Sequence, residues 1–182
     1  MGSETLMRAR RPVAAGFTLV ELLVVVAMIG VVSAIAVPAL LRARMSGNEA
    51  SAIGSIRAVN AAETAYANSA GRGGFAVLLS TLVTPCGAGS AGFLSRDLAS
   101  DPSSKSGYRI TLAVGAGANV GPLDCNGTVT RTSYYATAVP LSVGTTGRRA
   151  FASNAINAIW QNSTGLPPAE PFTITATTQP LQ

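Results

Sequence analysis

Few side chains in this sequence are equipped for chemistry, and their isolation says as much as their type. There is no histidine, so the commonest general base is missing, and the carboxylates are scattered rather than paired. Lys105 is the single lysine. A Ser-Lys nucleophile could be built around it, but Asp-Pro-Ser-Ser-Lys-Ser-Gly at 101–107 reads better as a solvated loop. Asp97, Asp101 and Asp124 match no calcium-loop spacing and read as surface aspartates. No glycine-rich loop ends in Lys-Ser/Thr to cradle a phosphate. Asn126-Gly127-Thr128 and Asn162-Ser163-Thr164 fit the glycosylation triplet, which often arises by chance.

Three residues remain. Cys86 and Cys125 form a disulfide if their half of the chain is exported, and otherwise are two unpaired thiols. Closing a loop of about 40 residues would stabilise by about 4 kcal/mol. Two thiols without histidine fall short of a metal set. The third is Glu21, the only ionisable side chain between Arg11 and Arg42. A carboxylate in apolar surroundings is costly unless it meets a cation.

The segment around Glu21 explains its setting. From Leu22 to Leu41 run twenty residues whose only polar side chain is Ser33. As a helix that is about 30 Å, the thickness of a bilayer's hydrocarbon core. The chain has 182 residues, 12% of them charged and 48% apolar, which suits one modest domain plus an appendage. Three readings of the segment compete. A secretory signal peptide would be cut near Ala34-Ile35-Ala36, but Glu21 then sits inside an apolar stretch too long for one. A plain anchor leaves Glu21 unexplained. The third makes Glu21 the point of the segment.

Gly16-Phe17-Thr18-Leu19-Val20-Glu21 closely resembles the processing motif of type IV pilins and type II secretion pseudopilins. In that family a basic leader ending in Gly is cut on the cytoplasmic face. The new N-terminal residue, usually Phe, is N-methylated, and the fifth mature residue is Glu. Gly16, Phe17 and Glu21 match those positions, with Arg8, Arg10 and Arg11 in the leader. The resemblance continues through Gly30 and Pro38 and over 44–57, covering about the first 70 residues. It implies pairing of Glu21 with the Phe17 amine of a neighbouring subunit, which sets axial register more than it adds stability. Pro38, with Gly30 nearby, is expected to kink or loosen the helix. Because Arg42 and Arg44 follow the span closely, the positive-inside rule is nearly balanced; the cleavage motif, not the charge count, places the leader in the cytoplasm.

Beyond the span the helical pattern continues to about residue 70, with Ala52, Ile56, Val59, Ala62 and Tyr66 on one arc. Gly71-Arg72-Gly73-Gly74 stops it. Short helices are expected over 75–83 and 93–99, and strands over 108–114 and 133–139, with weaker ones at 149–153 and 155–161. Gly115-Ala116-Gly117 and Asn126-Gly127 mark turns. Residues 166–182 read as an extended, partly ordered tail. The expected class is α+β: a long N-terminal helix on a small antiparallel sheet head. Its parts are a leader (1–16), a transmembrane and filament-core helix (17–41), an amphipathic stem (42–70) and a head (71–182).

The resemblance implies a filament subunit, not an enzyme, with no cofactor or metal. Its implied partners are copies of itself, a prepilin peptidase, a platform protein, an assembly ATPase and inner-membrane lipid. A type IV pilus subunit is favoured. The alternatives are a type II secretion pseudopilin, or a membrane-anchored binding module sharing the signal. Loss of residues 1–16 leaves ten basic and seven acidic side chains. With no basic stripe interleaved with aromatics, nucleic acid is not an expected partner.

Overall fold

The structure, a computed structural model, describes residues 16–87 and 89–181. Arg8, Arg10 and Arg11 of the expected leader lie outside them. The chain divides into two units, Met1–Leu40 and Leu41–Gln182. The first helix, α1 (Leu19–Asn68, 50 residues), begins in one and ends in the other.

In the first unit the apolar run is helical without interruption through Gly30 and Pro38. Helix is the conformation in which a chain satisfies its own backbone groups where no water is at hand. Pro38 has no N–H, so the carbonyl of Ala34 goes without its usual helical donor. Sixteen large apolar side chains between Phe17 and Leu41 are 42–87% exposed. Apolar on all sides, this half of the helix has no inward face.

The second unit has a core. Ala52, Ile56, Val59, Ala62 and Tyr66 form the buried stripe expected from their spacing. At the helix end, Gly71 N–H donates to the Tyr66 carbonyl (2.7 Å) and Gly73 N–H to that of Ala67 (2.8 Å). The left-handed positions that turn the chain are Arg72 (φ 50°) and Gly73 (φ 91°), not Gly71. The two short helices come out shorter than the sequence suggests. The first is α2 (Leu79–Val83), whose opening N–H groups at Leu79 and Ser80 donate to the Asp101 carboxylate at 2.6 and 3.0 Å. The second is a single 3-10 turn, Arg96–Leu98.

Eight strands follow: β1 (Ser103–Lys105), β2 (Tyr108–Val114), β3 (Val120–Leu123), β4 (Val129–Arg131), β5 (Tyr134–Pro140), β6 (Ala150–Asn154), β7 (Trp160–Asn162) and β8 (Thr178–Pro180). Six make an antiparallel sheet in the order β1-β2-β5-β6-β7-β8, and β3-β4 is a separate hairpin. With β2 and β5 paired over their whole length, alternation sends Tyr108, Ile110, Leu112, Tyr134, Ala136 and Ala138 into the core shared with α1. The alanines at 136 and 138, both fully buried, leave room for the helix to approach.

Two expectations fail. Residues 155–159 are not strand: Asn157 (φ 62°) turns the chain, and its N–H donates to the Asn154 carbonyl (2.8 Å). Residues 166–181 are a strap held against the sheet rather than an extended, partly ordered tail. Tyr135 Oη donates to the Pro168 carbonyl (2.5 Å), Asn154 Nδ2 to Glu170 (2.6 Å) and Ala116 N–H to Glu170 (2.8 Å). The Phe172 ring lies 5.4 Å from Trp160 and 6.3 Å from Tyr135. These partners are distant in sequence, which is why a polar, proline-rich stretch concealed them.

Candidate processing and assembly site

Gly16 and Phe17 precede α1 in exposed backbone outside any helix or strand, Phe17 being 87% exposed. A Cβ added at Gly16 would meet nothing within 4 Å. Among the described residues nothing crowds the peptide bond between them.

One turn on, Glu21 and a residue that the sequence reading passed over form a reciprocal cap. Glu21 N–H donates to Thr18 Oγ1 (3.2 Å), while Thr18 N–H (3.0 Å) and Thr18 Oγ1–H (2.9 Å) donate to Glu21 Oε2. This is the capping box, which satisfies two of the donors a helix start leaves orphaned. Thr-x-x-Glu ahead of an apolar run was its signal. The Glu21 carboxylate therefore has partners within its own helix, and its second oxygen carries no hydrogen bond among the described residues.

In the head, Cys86 and Cys125 are bridged, with Cα atoms 5.7 Å apart and 39 positions apart in sequence. Cys125 N–H donates to the Ala70 carbonyl (3.2 Å), so the bridge is fastened to the turn that ends α1. The neighbouring Asp124 is not the surface aspartate expected. It is 4% exposed and accepts from Tyr66 Oη (2.9 Å), Asn126 N–H (2.8 Å) and Thr128 N–H (2.6 Å). Burial, with the Asp124 carboxylate beside it, pushes the Tyr66 hydroxyl up.

Several further charged groups serve the fold. Lys105 Nζ donates to Asp97 at 2.5 Å, so the lysine is engaged by an acid rather than aimed at a serine. Among the described residues no three Asp, Glu, Cys or His side chains gather as for a metal. Glu49 lies under Arg149, whose Nε and Nη2 donate to it at 2.8 and 2.7 Å, and it also accepts the N–H groups of Arg148 and Arg149. Burial pulls its pKa upward, yet these donors prevail and hold it below the usual carboxylate value. Glu63 is the opposite case. It is fully buried and, among the described residues, accepts only the Ala76 N–H (3.0 Å) and leaves Oε1 without a partner. Burial pushes its pKa up to about 8, with the Ala76 bond pulling weakly the other way. Its place between Val59 and Tyr66 on the buried arc was the sequence signal for this.

Arranged this way, the chain offers an exposed Gly16–Phe17 junction, a capped acid at the head of an exposed apolar helix segment, and a head in which acids are used to pin turns. No curated protein and no solved structure matches the chain. Residues 11–37 match the prokaryotic N-terminal methylation motif, and this stretch, which includes Gly16, Phe17, Glu21 and Gly30, is the N-terminal signal of type IV pilins and pseudopilins.

Proposed function

We propose that this chain is a structural subunit of a type IV pilus-like filament. A prepilin peptidase cuts after Gly16, Phe17 is N-methylated, and the mature subunit waits in the inner membrane before assembly through α1. Residues 1–16 are then the leader, 17–41 the membrane and filament-core helix, 42–70 the stem and 71–182 the head. The assembly partners are further copies of the chain, a platform protein and an assembly ATPase.

One observation carries this reading: the methylation motif heads a helix segment whose large apolar side chains are all exposed. Each such side chain gains about 1.5–3 kcal/mol when removed from water, so the segment requires lipid or neighbouring helices as its surroundings. A subunit that passes from bilayer to filament core meets that requirement at both stages. In the filament, the Phe17 ammonium of one copy supplies the cation that Glu21 lacks in its own chain. Gly30 and Pro38, where the helical ladder is weakest, are the natural places for α1 to loosen during that passage.

N-terminal mass spectrometry of the protein from membranes and from sheared surface material tests this. The expected product begins at N-methyl-Phe17 and appears in the sheared fraction. Confinement to the periplasm, with a secretion defect on deletion, would indicate a pseudopilus. A chain that is cut but never polymerises would indicate a lone anchored module. A chain starting at Val37, or uncut from Met1, would end the filament reading.

A further inference from the structure

We propose that the second unit holds a binding site for the phosphate of an anionic phospholipid headgroup, formed by Arg42 and Arg148. The proposal rests on the membrane-stored subunit described above. A cavity of about 480 Å³ is lined by Arg42, Met45, Ser46, Glu49 and Arg148.

The charges around it do not cancel. Glu49 is the only acid in the lining. It is 8% exposed and is already occupied by the Arg149 side chain and by the N–H groups of Arg148 and Arg149. The Arg148 backbone is thus held by Glu49 while its guanidinium is left over. Among the described residues neither the Arg148 nor the Arg42 guanidinium has a carboxylate partner, the ion pairs being Lys105–Asp97 and Arg149–Glu49. Both arginines are exposed. Two uncompensated guanidinium groups bordering one cavity make an anion site, and their planar forks suit phosphate oxygens in particular.

The position of Arg42 in the chain selects the source of that phosphate. It is the first charged residue after an apolar run as long as a bilayer core is thick. A subunit stored in the membrane therefore carries Arg42 at headgroup depth on the exported side, within reach of lipid phosphates. The Ser46 hydroxyl adds a donor, and the Met45 thioether gives the cavity an apolar wall suited to a glycerol backbone. A zwitterionic lipid would bring its own cation toward two arginines, so a headgroup of net negative charge is the better occupant.

The test uses the full mature chain in lipid nanodiscs and in detergent, with retained lipid read by native mass spectrometry. Phosphatidylglycerol is the anionic probe, phosphatidylcholine the neutral one and inorganic phosphate the soluble one. Phosphatidylglycerol should be retained in preference to phosphatidylcholine, and Arg148→Ala should weaken that retention roughly fivefold. Arg148→Ala keeps the backbone N–H that Glu49 accepts, so the head should fold normally by circular dichroism. Arg109→Ala, on β2 and outside the cavity, should leave retention unchanged. Equal retention of the two lipids, or no effect of Arg148→Ala, overturns the site. So does displacement of the lipid by millimolar inorganic phosphate, which would make the ligand a free anion. A chain that stays out of the bilayer altogether sinks the membrane-stored reading and the site with it, whereas insertion without lipid preference sinks the site alone.

Discussion

Thr18 and Glu21 each accept a backbone N–H from the other at the start of α1, and the Thr18 hydroxyl closes the same carboxylate at 2.9 Å. Glu21 thus has two separable tasks: capping its own helix through hydrogen bonds, and presenting a charge. Glu21→Gln keeps an acceptor for the Thr18 N–H and removes the charge; Glu21→Val removes both. Both variants should be cut after Gly16, and both should give little sheared filament, since register loses its charged partner. Wild-type yield from Glu21→Gln, measured by immunoblot of sheared material, would show that the cap alone suffices.

The pH dependence of the head follows from two buried acids with opposite signs. Burial pushes the Glu63 carboxyl up to about 8 when folded, from its ordinary value of 4.5. Below 4.5 both states hold the proton and its contribution is complete. Between 4.5 and about 8 only the unfolded chain ionises, so stability falls as pH rises, on the order of 5 kcal/mol in all. Urea unfolding across this range should show the slope, and Glu63→Gln should flatten it. Equal slopes in the two proteins would clear Glu63 of responsibility.

Glu49 acts in the other direction. Its folded pKa lies below 4.5, so its contribution is present above that value and is lost as pH falls through the folded pKa. Glu49→Gln leaves the Arg149 guanidinium facing a neutral amide and should cost about 2 kcal/mol at pH 7. Stability of the variant should be indifferent to acidification over the window in which the parent weakens. Matching acid limbs in the two proteins would contradict this assignment.

Reduction of Cys86–Cys125, or Cys86→Ser with Cys125→Ser, should lower the unfolding midpoint through a loss of about 3–4 kcal/mol. The loss should be felt first at the α1 terminus, because Cys125 N–H is bonded to Ala70. Hydrogen exchange at Gly71 and Gly73, whose N–H groups close that turn, is the local readout. Unchanged protection there would place the bridge's effect elsewhere.

What could be read beforehand was what repeats along the chain. The stem arc from Ala52 to Tyr66 follows the helical period, and β2 was legible over 108–114 because it alternates. Strands β3 and β8 escaped notice because each contains a proline, Pro122 and Pro180, and β4 because it is three residues long. Asp124 and Glu63 were the deeper misses. Asp124 counts as solvent-facing in any pattern of polarity, and its burial shows only when the Tyr66 hydroxyl is brought to it from elsewhere in the fold. Glu63 had its place on the buried arc as a signal, but its partner, the Ala76 N–H, had none. Thr18 could have been found: the cap signature stood beside the motif that drew attention to Glu21.

The two outer strands of the head's sheet are β1 and β8, each three residues long. One carries Lys105, and the other ends in Pro180, which has no N–H to offer. Short, charged or proline-bearing borders resist strand addition by another molecule. For a subunit crowded side by side, as the proposed filament requires, this matters as much as any contact it makes. Copies cannot readily zip together through their sheets into amyloid-like ribbons, which leaves helical association as the route by which order can spread.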